Sequence, residues 1–261
     1  MTVKELYAYI EQKAPRALSA EWDNDGLACC VNRDRQIERV LVALDATEQV
    51  VQKAVEGHYD VLLTHHPLLF RGIKELTPEK PLPRKLLTLV LGRVAAISFH
   101  TRLDAAEGGV NDVLCQLFGL TNIEKAGPEG EEMARVGTLP QVVSAQEFAQ
   151  TVCEKLNTPA VSLIGERKTV KRIMVLGGEG ADFVSVAAAR PDVDLFLAGR
   201  IGYHRMLDAA EEGIALIEAG HFATERPICD TLAAWVRQAV PTATVDVYAN
   251  ATIQLVTRNK Q

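Results

Sequence analysis

The sequence predicts an α/β fold made of two similar lobes with mostly parallel sheets, facing each other across a crevice. Three observations predict it. Short apolar runs alternate with amphipathic helical stretches, the pattern of strands joined through helices. That pattern occurs twice, in segments of nearly equal length. Three of the predicted strands end directly in histidine or carboxylate side chains: His65-His66, His100 with Asp104, and His221 with Glu225.

Bulk properties set the bounds. A chain of 261 residues, 48% apolar and 24% charged, has material for one large or two smaller domains with a sizeable core. A formal charge of −6 gives no broad basic footprint. Duplex nucleic acid and anionic membrane are therefore not expected as partners, while a local basic pocket stays open. The most apolar region, residues 86–99, is broken by Gly92 and Arg93 and falls short of the roughly 18 residues a membrane span needs. The amino terminus carries charge throughout, unlike a signal peptide, so a soluble cytoplasmic protein is expected. Five cysteines are an odd count with no CxxC unit, and they read as buried reduced thiols.

Val3, Leu6, Tyr7 and Ile10 recur at helical spacing and predict a first helix. Residues 39–44 (RVLVAL) read as a buried strand. Asp45 to Glu48 then resembles a capping box, Val50, Val51, Ala54 and Val55 make one helix face, and Gly57 supplies a left-handed stop. The strand at residues 60–64 (DVLLT) runs straight into His65-His66-Pro67. A helix near residues 84–91 and a strand near 94–99 follow, ending in His100 and Asp104.

The second half repeats this order. Residues 172–176 form a strand, Gly177-Gly178-Glu179-Gly180 a tight turn, 181–190 a helix and 193–198 a strand. A helix near 204–212 and a strand near 214–218 then end in His221 and Glu225. Both halves thus finish a strand with His-x-x-x-acid, which suggests two related lobes. The polar stretch 121–132 is the expected boundary, giving a first lobe at 1–125 and a second at 126–225. The tail, a helix over 227–238 and a strand over 242–248, is free to return to the first lobe.

In open parallel sheets ligands gather at the carboxyl ends of strands, where loops project functional groups into a shared crevice. Four of the six histidines lie in this set. Imidazoles with carboxylates and no thiolate suit zinc, iron or manganese in an open site. Six candidates suggest two divalent ions, with Glu225 as the bridge. His100 reads either as a ligand or as a group that relays a proton. His204, just beyond another strand end, is a second candidate catalytic group. Asp23-Asn24-Asp25-Gly26 reads as a turn near the site, since it lacks the other ligands of a calcium loop.

Four stretches, WDNDGL (22–27), THHP (64–67), HTRLDAAEGGVND (100–112) and GHFATERP (220–227), resemble the motifs of the Nif-three-like dinuclear-metal family, the GTP cyclohydrolase I type 2 homologues. The motifs span nearly the whole chain. The resemblance implies a homohexamer with metal sites facing an internal cavity. It also implies His66 and Asp104 on one ion, His65 and His221 on the other, and Glu225 on both. Relatives often carry Gly-Glu where this chain has Gly199-Arg200, which places a cation near the crevice.

The function expected is a dinuclear metal-dependent hydrolase of a small molecule, with purine nucleotide hydrolysis of the GTP cyclohydrolase type implied by the resemblance. Two other readings stay open. One is a two-metal phosphoesterase, which Arg200 would assist; the other is a non-enzymatic metal-binding regulatory or scaffold protein.

Overall fold

Two sheets, each with its own hydrophobic core, organise the computed structural model, which describes residues 1–128, 131–165, 167–251, 253 and 256. The chain divides into two compact units, Met1–Glu107 with Ile228–Ala249, and Gly108–Pro227 with Asn250–Gln261. The division falls before the polar stretch expected as the boundary, and residues 121–126 of that stretch form a strand instead of a linker.

The first unit runs α1 (Val3–Lys13), β1 (Gly26–Cys29), β2 (Arg39–Ala43), α2 (Glu48–Glu56), β3 (Val61–Thr64), α3 (Pro81–Leu91), β4 (Ala95–Ser98) and α4 (Thr101–Ala105). The second runs α5 (Val110–Leu117), β5 (Thr121–Ala126), β6 (Ala134–Ser144), α6 (Ala145–Leu156), β7 (Ser162–Ile164), β8 (Thr169–Glu179), α7 (Val184–Ala188), β9 (Leu195–Arg200), α8 (Tyr203–Glu211), β10 (Ala215–Glu218) and α9 (His221–Glu225). The tail then returns to the first unit as α10 (Ile228–Ala239) and β11 (Thr244–Tyr248).

In the first unit the sheet order is β1-β4-β3-β2-β11, parallel from β4 through β11, with β1 antiparallel at one edge. Val40 to Ala43 and Val61 to Thr64 are unbroken buried runs, as expected for strands covered on both faces. α1 starts at a capping box formed by Thr2 and Glu5 and buries Val3, Leu6 and Ile10. α2 is capped by Thr47, whose hydroxyl accepts from the Val50 N–H, and not by Asp45. Nor is Gly57 the left-handed residue: its φ is −80°, and His58, at φ 52°, makes the turn.

In the second unit the order is β5-β6-β8-β9-β10-β7, with β8, β9 and β10 parallel and the flanking strands antiparallel. β8 runs through Gly177 to Glu179, so the expected tight turn is strand, and its register against β9 shifts between Leu176 and Glu179. The helix expected over 181–190 is a 3-10 turn at Ala181–Phe183 followed by the short α7.

The repeat is visible in polar detail that sequence pattern did not reveal. Asp60 accepts the Glu38 and Arg39 N–H groups at the start of β2 and pairs with Arg35. Asp194 accepts the Lys171 and Arg172 N–H groups in β8 and pairs with Arg167. Both carboxylates satisfy backbone donors at the start of a parallel strand.

Strand register also corrects the matched motifs. Thr64 pairs with Ser98, and Ala198 with Glu218, which makes His100 equivalent to Gly220 and Thr101 equivalent to His221. The two His-x-x-x-acid motifs are therefore offset by one residue. His100 caps α4 from outside, whereas His221 is the first residue of α9.

No disulfide joins cysteines among the described residues; Cys115 and Cys229 are buried, while Cys29, Cys30 and Cys153 are only partly so. No helix among them is long and apolar enough to cross a membrane.

Candidate metal centre

Two neighbouring parallel strands of the first unit deliver its candidate ligands. His65 and His66 follow β3, and His100 follows β4. The tight exit before Pro67 turns both adjacent imidazoles to one side, with ring centroids 4.9 Å apart. His100 closes the group at 5.4 Å from His65 and 5.6 Å from His66. Each of the three offers a ring nitrogen lying within 4.8 Å of the others, a grouping that could hold a metal ion.

The ring orientations are set by the opposite nitrogens. His65 Nδ1–H donates to the Phe99 carbonyl at 2.9 Å, because a carbonyl can only accept. His66 Nδ1 is held by Asp45 at 2.7 Å, and His100 Nδ1 by Asp23 at 3.0 Å. Each acceptor fixes the tautomer that leaves Nε2 as the basic nitrogen, the arrangement found behind metal-ligating histidines. The donor set thus fits a divalent cation. His65 is fully buried, and the Asp104 carboxylate stands 3.6 Å from its Nε2.

Sequence reasoning read Asp45 as part of a helix cap and missed this role. From it we expect Asp45→Ala to lower metal affinity about 10- to 100-fold, measured by titration against a competing chelator. Asp45→Asn, which keeps an oxygen acceptor, should lose less.

Asp23 and Asp25, read from sequence only as a turn near the site, form the bed of His100. Besides the His100 ring, Asp23 accepts from the Thr101 N–H at 3.0 Å and the Thr101 hydroxyl at 2.5 Å. Burial alone would raise the Asp23 pKa, but the hydrogen bonds from His100 and Thr101 outweigh it and hold the carboxyl at about 2. Asp25 accepts the His100 backbone N–H at 2.9 Å and pairs with the buried Arg102 at 2.8 Å.

The second unit holds the other two candidates on α9. His221 and Glu225 stand one turn apart, with Nε2 and Oε2 separated by 3.0 Å, and Glu225 is buried. What lets them lie so close to β8 is glycine. Gly178 has φ +71°, and a Cβ there would strike the Glu225 carboxylate and come within 3.4 Å of His221 Nε2. Its N–H donates to Thr224 Oγ1 at 3.1 Å, and the Gly177 N–H donates to Asn111 Oδ1 at 2.8 Å. The Gly-Gly pair is a floor for α9 and not a loop for phosphate.

His204 lies exposed in the first turn of α8, its ring 5.4 Å from Tyr203, and it joins none of the ligand groups found among the described residues. Arg200 ends β9 largely exposed, 4.0 Å from Glu179 across the β8–β9 pair.

A family model described as Duf34/NIF3 (NGG1p interacting factor 3) matches residues 1–254. The chain is 32% identical over 234 residues to a protein of Clostridium acetobutylicum named GTP cyclohydrolase 1 type 2 homolog, covering 87% of this chain and 86% of that one. Among solved structures it is similar in fold to a Bacillus cereus protein related to NIF3, with a TM-score of 0.89, 20% identity and 99% of each chain covered. It is also similar to reduced HcgD from Methanocaldococcus jannaschii, with a TM-score of 0.83, 28% identity, and 95% and 97% of the two chains covered. On the extent of these matches, the chain belongs to the Duf34/NIF3 family.

Proposed function

We propose that this chain is a metal-dependent hydrolase of a small molecule, that it uses two divalent ions (zinc, iron or manganese), and that its substrate is a purine nucleotide of the GTP type. The observation that carries the reading is the group of three imidazoles whose Nδ1 atoms are each held by a separate acceptor. A packing role for a histidine needs no such convergence of basic nitrogens. The ligands we assign are His65, His66 and Asp104 in the first unit and His221 and Glu225 in the second, the set the family resemblance implies. The substrate class rests on the name carried by relatives such as the clostridial protein.

When bound, paired ions would polarise the substrate and lower the pKa of a bound water toward ~7. The chain's residues do the rest. His65 and His66 keep their Nε2 atoms aimed, and Phe99 and Asp45 keep those rings from rotating. His100 takes the proton-transfer role in preference to His204, because it packs against both histidines and is held by Asp23.

The test starts with metal analysis of the purified protein, expected to give two ions per chain. Metal-loaded protein is then incubated with GTP while ultraviolet absorbance and released phosphate are followed together. Opening of the purine ring changes the absorbance without releasing phosphate, and this is the expected result. Phosphate release at constant absorbance would make the protein a phosphoesterase. No turnover, with metal and assembly lost together in Glu225→Ala, would make it a non-enzymatic metal-binding scaffold.

A further inference from the structure

Beside the three histidines lie two aromatic side chains that the fold does not bury. Trp22 is 58% exposed and Phe70 is 44% exposed. Aromatic rings of this size normally contribute their burial to a core, and leaving both in solvent forgoes that stabilisation. They are not scattered. Their centroids are 5.9 Å apart with the planes at 65°, and each also contacts the His100 ring, Trp22 at 6.1 Å and Phe70 at 6.2 Å.

Both rings are held in place by the backbones that carry them. Trp22 directly precedes Asp23, whose carboxylate is fastened to the His100 ring and to Thr101. Phe70 follows Leu68, which is buried, and Leu69, whose carbonyl accepts from the Asn24 side chain. Asn24 therefore ties the Trp22 loop to the Phe70 loop. Two large rings at a fixed angle, tied across two loops and touching a histidine of the candidate centre, are a preorganised recognition surface.

We propose that Trp22 and Phe70 form a subsite for a planar heteroaromatic ring of purine size, held beside His100. A flat ring laid on the indole meets Phe70 edge-on, which is the favourable arrangement for aromatic groups at such angles. Stacking of this kind tolerates different bases, because every base has a π-face. The subsite thus selects flatness and aromaticity, and it places the bound ring next to the imidazole assigned to proton transfer. The inference deepens the hydrolase reading and rests on it for the purpose of the site, but ring binding is measurable without turnover.

The chain has two tryptophans, so Trp235→Phe leaves Trp22 as the only indole reporter. Full-length protein carrying that change is titrated with guanosine, with adenosine and with ribose 5-phosphate, following tryptophan fluorescence. Saturable quenching by both nucleosides and none by ribose 5-phosphate is expected. Phe70→Ala should weaken nucleoside binding roughly 5- to 100-fold, while metal content stays that of the parent. Quenching by ribose 5-phosphate alone, or unchanged nucleoside binding in Phe70→Ala, overturns the subsite. A shift in oligomeric state in Trp22→Ala with nucleoside binding intact, read by light scattering, also overturns it, since the rings would then be covered by a second copy. Nucleoside binding without metal or turnover would instead sink the hydrolase reading and leave the subsite standing.

Discussion

Gly178→Ala is expected to destabilise the second unit by about 2–5 kcal/mol and to displace the Glu225 carboxylate. Two costs combine. At φ +71° an L-residue pays roughly 1–2 kcal/mol for the left-handed conformation. The added Cβ also lands on the Glu225 carboxylate, and Glu225 is buried on α9 with little room to retreat. Overpacking of that kind costs typically about 1–3 kcal/mol. Gly213→Ala is the matched control, because Gly213 has φ +80° but no atom within 4 Å of its would-be Cβ. Denaturant unfolding of both variants separates conformation from collision. Equal losses would show that the close approach of Glu225 to β8 carries no energetic weight. If Glu225 is a ligand as assigned, metal content falls in Gly178→Ala and not in Gly213→Ala.

Arg102→Met should cost the first unit about 3–5 kcal/mol, the range for removing one member of a buried ion pair. The Arg102 and Asp25 side chains are both fully buried and joined at 2.8 Å. Arg102 also reaches Glu11 Oε1 at 3.1 Å and the Tyr7 hydroxyl at 3.2 Å, and its guanidinium lies 4.3 Å from the centre of the Phe99 ring. Methionine fills much of the same space, so the loss is electrostatic before it is steric. Arg16 remains beside Asp25 but is half exposed and screened by water. Adding Asp25→Asn to Arg102→Met should therefore recover part of the loss, because the orphaned charge is gone. A double variant no more stable than Arg102→Met would refute uncompensated charge as the cause. The damage should extend to His100, whose backbone N–H rests on the same Asp25 oxygen that Arg102 holds.

The candidate site was legible in part. His65, His66 and His100 stood out because apolar runs of strand length end directly on them, and the sheet then gathers strand ends by construction. Their supporting partners did not stand out. Asp45 lies far from His66 in the chain and satisfied a local capping pattern, so its part in orienting that ring was masked by a plausible local reading. Gly178 was hidden in the same way: two glycines after a strand look like a turn, and only the approach of Glu225 shows why a side chain is forbidden there.

By itself the sequence determined the repeat of a parallel three-strand module and which residues end those strands. Those features follow from local periodicity, which the chain carries wherever it folds. The tertiary structure alone decided the one-residue offset between the two histidine motifs, the acceptor behind each imidazole, the glycine floor under α9 and the exposed aromatic pair beside His100. Each of these depends on strand register or on the distance between segments remote in sequence, and such distances exist only after the sheets have formed.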